Sequence, residues 1–169
     1  AALALLAEAV VLELGQHCVR VTVVQLAHIN IFRPDPGHPE SGLRGQPAAG
    51  LRLPVASGRV VVARVPLASG LLSGKFKADT KFETTDHRLF NRNGEAFDVG
   101  ETFSGVPYEV GLAAVEKIRP LVSGGTTMAK FALRWILMFD AVTVVIPGAR
   151  NPVQARSNAE AATLPPLSY

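Results

Sequence analysis

Cysteine is almost missing from this chain: Cys18 is the single one among 169 residues. An internal disulfide is therefore impossible, and a zinc cluster built on cysteines is excluded. Such usage fits a reduced, cytoplasmic setting. Cys18 follows His17, but a small residue packed at a strand edge is a plainer reading of it than an activated thiolate. Histidine is scarce too. His28, His38 and His87 lie in or near loops without metal-ligand spacing, so no metal site is expected. An excess of one charge is also lacking. Seventeen Lys and Arg stand against fourteen Asp and Glu, a formal balance of +3. The basic residues are scattered, with no run interleaved with aromatics, which argues against nucleic acid and leaves room for an anionic small molecule. No apolar run is long enough for a bilayer. Residues 1–14 are apolar, but they carry Glu8 and Glu13 and no basic leader, so neither a membrane span nor a signal peptide is expected there.

What is present describes one globular domain. Hydrophobic residues make up 48% and charged residues 18%, enough for a core of its own. The length falls well short of the ~250 residues typical of a closed eight-unit (β/α) barrel. The chain opens on Ala1 rather than Met, which reads as a processed chain or a piece of something longer.

Residues 1–14 read as a helix stopped by Gly15. The β-branched run 19–26 reads as a buried strand, and residues 29–32 leave it. Residues 34–58 form an irregular segment, since Pro34, Pro36, Pro39, Pro47 and Pro54 alternate with Gly37, Gly42, Gly45 and Gly50, a composition no regular helix survives. A second strand spans 59–65, its valines suited to a parallel sheet covered on both faces. Residues 69–75 make a glycine-punctuated turn and 78–105 a long surface loop. A helix follows from Pro107 to about residue 119. Thr126 or Thr127 caps the next one, 128–139, which is apolar nearly all round and so packed on two sides. A third strand occupies 142–146. Asn151 caps a last helix, with Pro152 at its first position, reaching about residue 162. Strands alternating with helices imply an α/β fold with a parallel sheet.

Ligands of such folds bind at the C-terminal ends of the strands. Two segments leave strands there with suitable residues. The first, Arg64-Val65-Pro66-Leu67-Ala68-Ser69-Gly70-Leu71-Leu72-Ser73-Gly74-Lys75, combines glycines, which let amides approach a phosphate, with a lysine. It is not a P-loop. Only three residues separate Gly70 from Gly74, and Phe76 follows Lys75 where Ser or Thr is needed. On spacing alone, a plain strand-to-loop turn accounts for it. In the second, Ile146-Pro147-Gly148-Ala149-Arg150-Asn151-Pro152, a capped helix presents free amides and a dipole end to an anion. Arg150 can pair with a phosphate, and Gln154 and Asn158 share a helix face. An ordinary surface helix also fits that pattern.

Together with Phe131-Ala132-Leu133-Arg134-Trp135, these blocks, in this order over about residues 60–168, resemble the closing part of aldo/keto reductases. The resemblance implies a partial (β/α)8 TIM barrel, the C-terminal half with parallel strands, in a single incomplete domain spanning 1–169. It implies NADPH, or NADH, bound without a Rossmann domain. Pro66, Leu67, Ser69, Gly70 and Lys75 match positions along the pyrophosphate. Gly148, Arg150, Gln154 and Asn158 match the adenosine end, where a 2′-phosphate meets Arg150. Gln25 matches a glutamine that contacts the nicotinamide carboxamide, although its spacing to Asn30 is one residue long. Arg64 departs from the family, where an aromatic side chain stacks on the nicotinamide; a planar guanidinium can stack as well. Residues 34–58 carry no family likeness, and read as a divergent or out-of-frame segment. Arg88 and Arg92 either fold over the pyrophosphate or are solvated loop charges.

The family reduces carbonyls by hydride transfer, with a tyrosine acid assisted by lysine, aspartate and histidine. No residue here matches that set, and neither Tyr108 nor Tyr169 sits at a strand end. The chain by itself is therefore expected to be catalytically incomplete, with no catalytic residue assigned; the alternative readings are a non-catalytic nucleotide-binding or assembly module, or a nonfunctional fragment. A nicotinamide nucleotide is the expected ligand. A complementary half-barrel or a second copy is the expected partner, because a half-barrel leaves strand edges unpaired.

Overall fold

The computed structural model describes residues 10–14, 17–21, 28–32, 60–97, 102–103, 106–140 and 142–167. Gln25, the irregular segment 34–58 and Tyr169 lie outside the described residues. The described elements are α/β in character. Strands β1 (Val10–Leu14) and β2 (His17–Val21) pair antiparallel, with Leu14 opposite His17. Strands β3 (His28–Phe32), β4 (Val60–Arg64) and β5 (Val144–Ile146) form a sheet in the order β3-β4-β5.

Three sequence expectations change here. Residues 10–14, expected within a helix, form β1. Its run Val-Val-Leu-Glu-Leu suits a strand as well as a helix, and pairing with β2 settles the ambiguity that local propensity leaves. Residues 29–32, expected to leave a strand, belong to β3 instead. Finally, the sheet is not wholly parallel. β4 and β5 are parallel, with Arg64 opposite Ile146, but β3 runs antiparallel to β4, with His28 opposite Arg64. A valine-rich strand accepts a neighbour of either direction, so composition does not determine direction.

Among the described residues there are four α-helices, and three of them keep to the sequence expectations. Helix α1 (His87–Phe90) interrupts what reads as a continuous loop, and Asp86 caps it by accepting from the Arg88 amide at 2.9 Å. Helix α2 (Tyr108–Ile118) starts after Pro107 and buries Tyr108, Gly111, Val115 and Ile118, a three-and-four spacing that makes one face. Helix α3 (Met128–Ile136) is capped by Thr127, which accepts from Lys130 at 3.2 Å. Its main face, Met128, Phe131, Ala132, Trp135 and Ile136, enters the core, and Leu133 is buried on another side. Helix α4 (Pro152–Ala159) is capped by Asn151 and buries none of its residues. The chain then turns back along α3. Lys130 pairs with Glu160 at 2.6 Å, Arg134 donates to the Pro165 carbonyl at 3.2 Å, and Ala161 is fully buried.

One core joins the β4 exit to α2 and α3 through Ala63, Ala68, Leu71, Leu72, Phe103 and Trp135. Leu71 lies so close to α2 that a Cβ on Gly111 would sit 2.5 Å from its Cδ2, so that helix position admits only glycine without repacking. Among the described residues, no helix is long and apolar enough to cross a membrane.

Candidate functional site

The parallel pairing of β4 with β5 decides where the two candidate segments lie. Because Arg64 and Ile146 are partners across the ladder, both segments leave neighbouring strands at the same end of the sheet. Arg64 is the last residue of β4 and is exposed. Pro66 is buried, Leu67, Ser69 and Gly70 are half-buried, and Lys75 is exposed.

The β4 exit is wound tightly. Val65, Ala68 and Ser69 have φ of 46°, 47° and 54°, and Gly70 has 96°. Three non-glycine residues in the left-handed region mark a turn held by its surroundings, because side chains disfavour that backbone. From within, Ala68, Leu71 and Leu72 anchor it in the core. At Gly70 the φ of 96° favours glycine, and a Cβ there would also crowd the Phe76 ring at 3.0 Å.

Over this turn lies a cluster that sequence reading leaves out of the site. His87 Nε2 is 3.3 Å from the Ser69 hydroxyl, and Arg88 Nη1 reaches the Ser69 carbonyl at 3.5 Å. Asp86 holds Arg88 through Nε at 2.8 Å and also through Nη2. The Arg88 hydrogen bond, helped by its charge, brings the Asp86 carboxyl down to about 2, and the same pairing raises the Arg88 pKa. The Arg88 guanidinium sits 4.8 Å from the Phe82 ring centre and 5.5 Å from that of Phe76. Arg92 sits 4.6 Å from the Tyr108 ring. Of the two expectations for these arginines, solvated loop charges does not hold: both stack on aromatic rings and are parts of the loop's packing. Tyr108 is buried, and its hydroxyl donates to the Lys77 carbonyl at 2.9 Å, a packing role. The signal available in the sequence was the capping pattern of Asp86 with Arg88 two residues on.

The β5 exit is built differently. Gln154 Oε1 accepts from the Arg150 amide at 2.8 Å, and Asn158 Nδ2 donates to the Gly148 carbonyl at 3.1 Å. The expected shared face of Gln154 and Asn158 is thus turned onto the loop before the helix, and all four predicted residues come together. The free amides expected at the start of α4 are fewer than the pattern implies. Pro152 has none, and Asn151 takes those of Gln154 and Ala155. The Val153 amide has no hydrogen bond among the described residues, nor have the Arg150 guanidinium and the Lys75 ammonium.

Two strand exits, one glycine-wound and one helix-capped, thus open at one end of the sheet. Comparison with protein families aligns residues 51–169 with the aldo/keto reductase family. The chain belongs to the aldo/keto reductase family. As a member it falls among oxidoreductases of the TIM-barrel class. The aldo/keto reductase match begins at residue 51, so it takes in the end of the proline- and glycine-rich segment, where no family likeness is expected from the sequence. Comparison with curated proteins gives no match.

Proposed function

We propose that this aldo/keto reductase chain is the nucleotide-holding, C-terminal part of a (β/α)8 oxidoreductase, and that it binds NADPH, or NADH, across the ends of β4 and β5. The observation that carries the reading is the pairing of Arg64 with Ile146, which sets the two segments side by side. The donor chemistry fits a dinucleotide. Lys75 and Arg150 are cations without partners among the described residues, one in each segment, and phosphates take such groups. Pro66, Leu67, Ser69, Gly70 and Lys75 would hold the pyrophosphate, and Gly148, Arg150, Gln154 and Asn158 the adenosine end. Gln25 and Arg64 would meet the nicotinamide. When bound, the nucleotide supplies a hydride for an aldehyde or ketone. The chain's own residues bind and orient it; we assign none of them to proton transfer, so the chain by itself is catalytically incomplete. A single incomplete barrel domain in the cytoplasm completes this reading.

A second reading, a non-catalytic nucleotide-binding or assembly module, is favoured by two observations. β3 runs antiparallel, unlike a strand of an all-parallel barrel. Val144 and Ile146 on β5 are 40% and 50% exposed, apolar positions suited to a complementary half-barrel or a second copy.

Calorimetric titration of the purified chain with NADPH and with NADH tests the first reading. The expected result is saturable binding of both, with Arg150→Ala weakening NADPH by on the order of tenfold or more and NADH far less, since only NADPH carries the 2′-phosphate. A folded chain that binds neither overturns the proposal. Reduction of an aldehyde panel well above a buffer blank overturns the catalytic part alone.

A further inference from the structure

We propose that Arg88, oriented by Asp86, is a positioning residue that fixes the left-handed backbone of Ser69 and Gly70 at the β4 exit. Its consequence for nucleotide affinity rests on the function proposed above; its structural content does not.

The turn needs an external restraint. Val65, Ala68 and Ser69 occupy the left-handed region within five residues of one another, and each holds it at a cost in free energy. The core restrains Ala68, Leu71 and Leu72 from one side. Ser69 and Gly70 lie on the other side, half-buried, where the Gly70 amide bonds the Leu67 carbonyl at 2.9 Å within the turn and the loop 76–92 adds a hold from outside. It does so at three points: Arg88 Nη1 on the Ser69 carbonyl, His87 Nε2 at the Ser69 hydroxyl, and Phe76 against Gly70. The two hydrogen bonds are long, at 3.5 and 3.3 Å, so their value depends on how firmly their donors are placed.

Arg88 is placed firmly. Its amide and its Nε both bond Asp86 Oδ1, and Nη2 bonds Oδ2. One carboxylate therefore fixes the start of α1 and the plane of the guanidinium together. Phe76 and Phe82, whose rings are 5.2 Å apart, both pack against the guanidinium from one side. Nη1 is left over and meets Ser69. A lysine offers a point charge without this fork, and cannot satisfy Asp86 and Ser69 with the same geometry. Because Asp86 neutralises it, Arg88 differs in kind from Lys75 and Arg150, the cations left for phosphates.

The test uses the 15N-labelled chain, with Arg88→Lys, Asp86→Asn and Arg150→Ala. Amide resonances and hydrogen exchange are read at Ser69, Gly70, Gly148 and Asn158, and NADPH affinity by calorimetry. Arg88→Lys and Asp86→Asn are expected to shift Ser69 and Gly70, speed exchange of the Gly70 amide, which bonds the Leu67 carbonyl, at least tenfold, and leave Gly148 and Asn158 in place. Arg150→Ala is expected to do none of this at Ser69 and Gly70. NADPH affinity should fall severalfold in both loop variants, and further for Asp86→Asn than a change confined to α1 allows. Unchanged Ser69 and Gly70 resonances in folded Arg88→Lys overturn the proposal. If Arg88→Lys does not fold, Asp86→Asn, of the same size as the wild-type residue, decides it by the same resonances. A wild-type chain that binds no NADPH sinks the nucleotide reading, while the resonances still decide the role of Arg88.

Discussion

Residues 65–92 and 147–158 leave neighbouring strands at the same end of the sheet, but one is held by the rest of the molecule and the other by itself. In the first, Leu71 and Leu72 are buried among α2 and α3, and Ser69 meets Arg88 from nineteen residues away. In the second, every hydrogen bond of Gly148, Arg150, Asn151, Gln154 and Asn158 among the described residues closes within ten residues, and α4 buries none of its residues. The difference teaches that two parts of one proposed ligand site can have different dependence on the fold. The β4 exit exists only when the core is formed. The β5 exit needs its own sequence and a strand to leave from.

Removing a core anchor should separate the two regions most strongly. Leu71→Ala deletes a side chain that is 1% exposed, and should lower global stability by about 2–4 kcal/mol in a urea titration. A loss below about 1 kcal/mol would mean that the β4 exit is not tied to the core as described.

A smaller effect is expected from pH. Asp86 is held at about 2 against an ordinary 3.8. Its folded pKa is the lower one, so the pair's contribution is complete above about pH 4 and is lost as pH falls toward about 2. With the side chain 19% exposed, that contribution is at most about 2 kcal/mol. Wild type should therefore exceed Asp86→Asn in stability at pH 6, and the gap should narrow steadily as pH falls from about 4 through about 2. A difference that is constant across this range would show that the ion pair is not the source.

The β5 exit should respond least, and only locally. Asn151→Ala removes the cap on the Gln154 amide, worth about 1 kcal/mol. Exchange of that amide should quicken roughly fivefold at unchanged global stability. A drop in the urea midpoint as large as that of Leu71→Ala would end the contrast between the two regions.

Legibility in the sequence follows the same division. Pro107, Thr127, Asn151 and Pro152 announce their helices, because a cap is made by residues two or three apart and survives in any context. Gln154 and Asn158 could be placed on one face for the same reason. The loop 78–105 hid α1, whose four residues give no periodicity to read. Residues 10–14 were ambiguous, because a short apolar run suits helix and strand alike, and β2 decided. Arg88 and Arg92 could not be assigned, since the rings they stack on come from Phe76, Phe82 and Tyr108 in separate parts of the chain.

By itself, the sequence determined family membership and the self-contained loop before α4, since both are carried by runs of residues close in the chain. Tertiary structure alone decided the direction of β3, the strand at residues 10–14 and the task of Arg88. Each of those depends on partners that pairing and packing bring together, and no local pattern encodes a partner many residues distant.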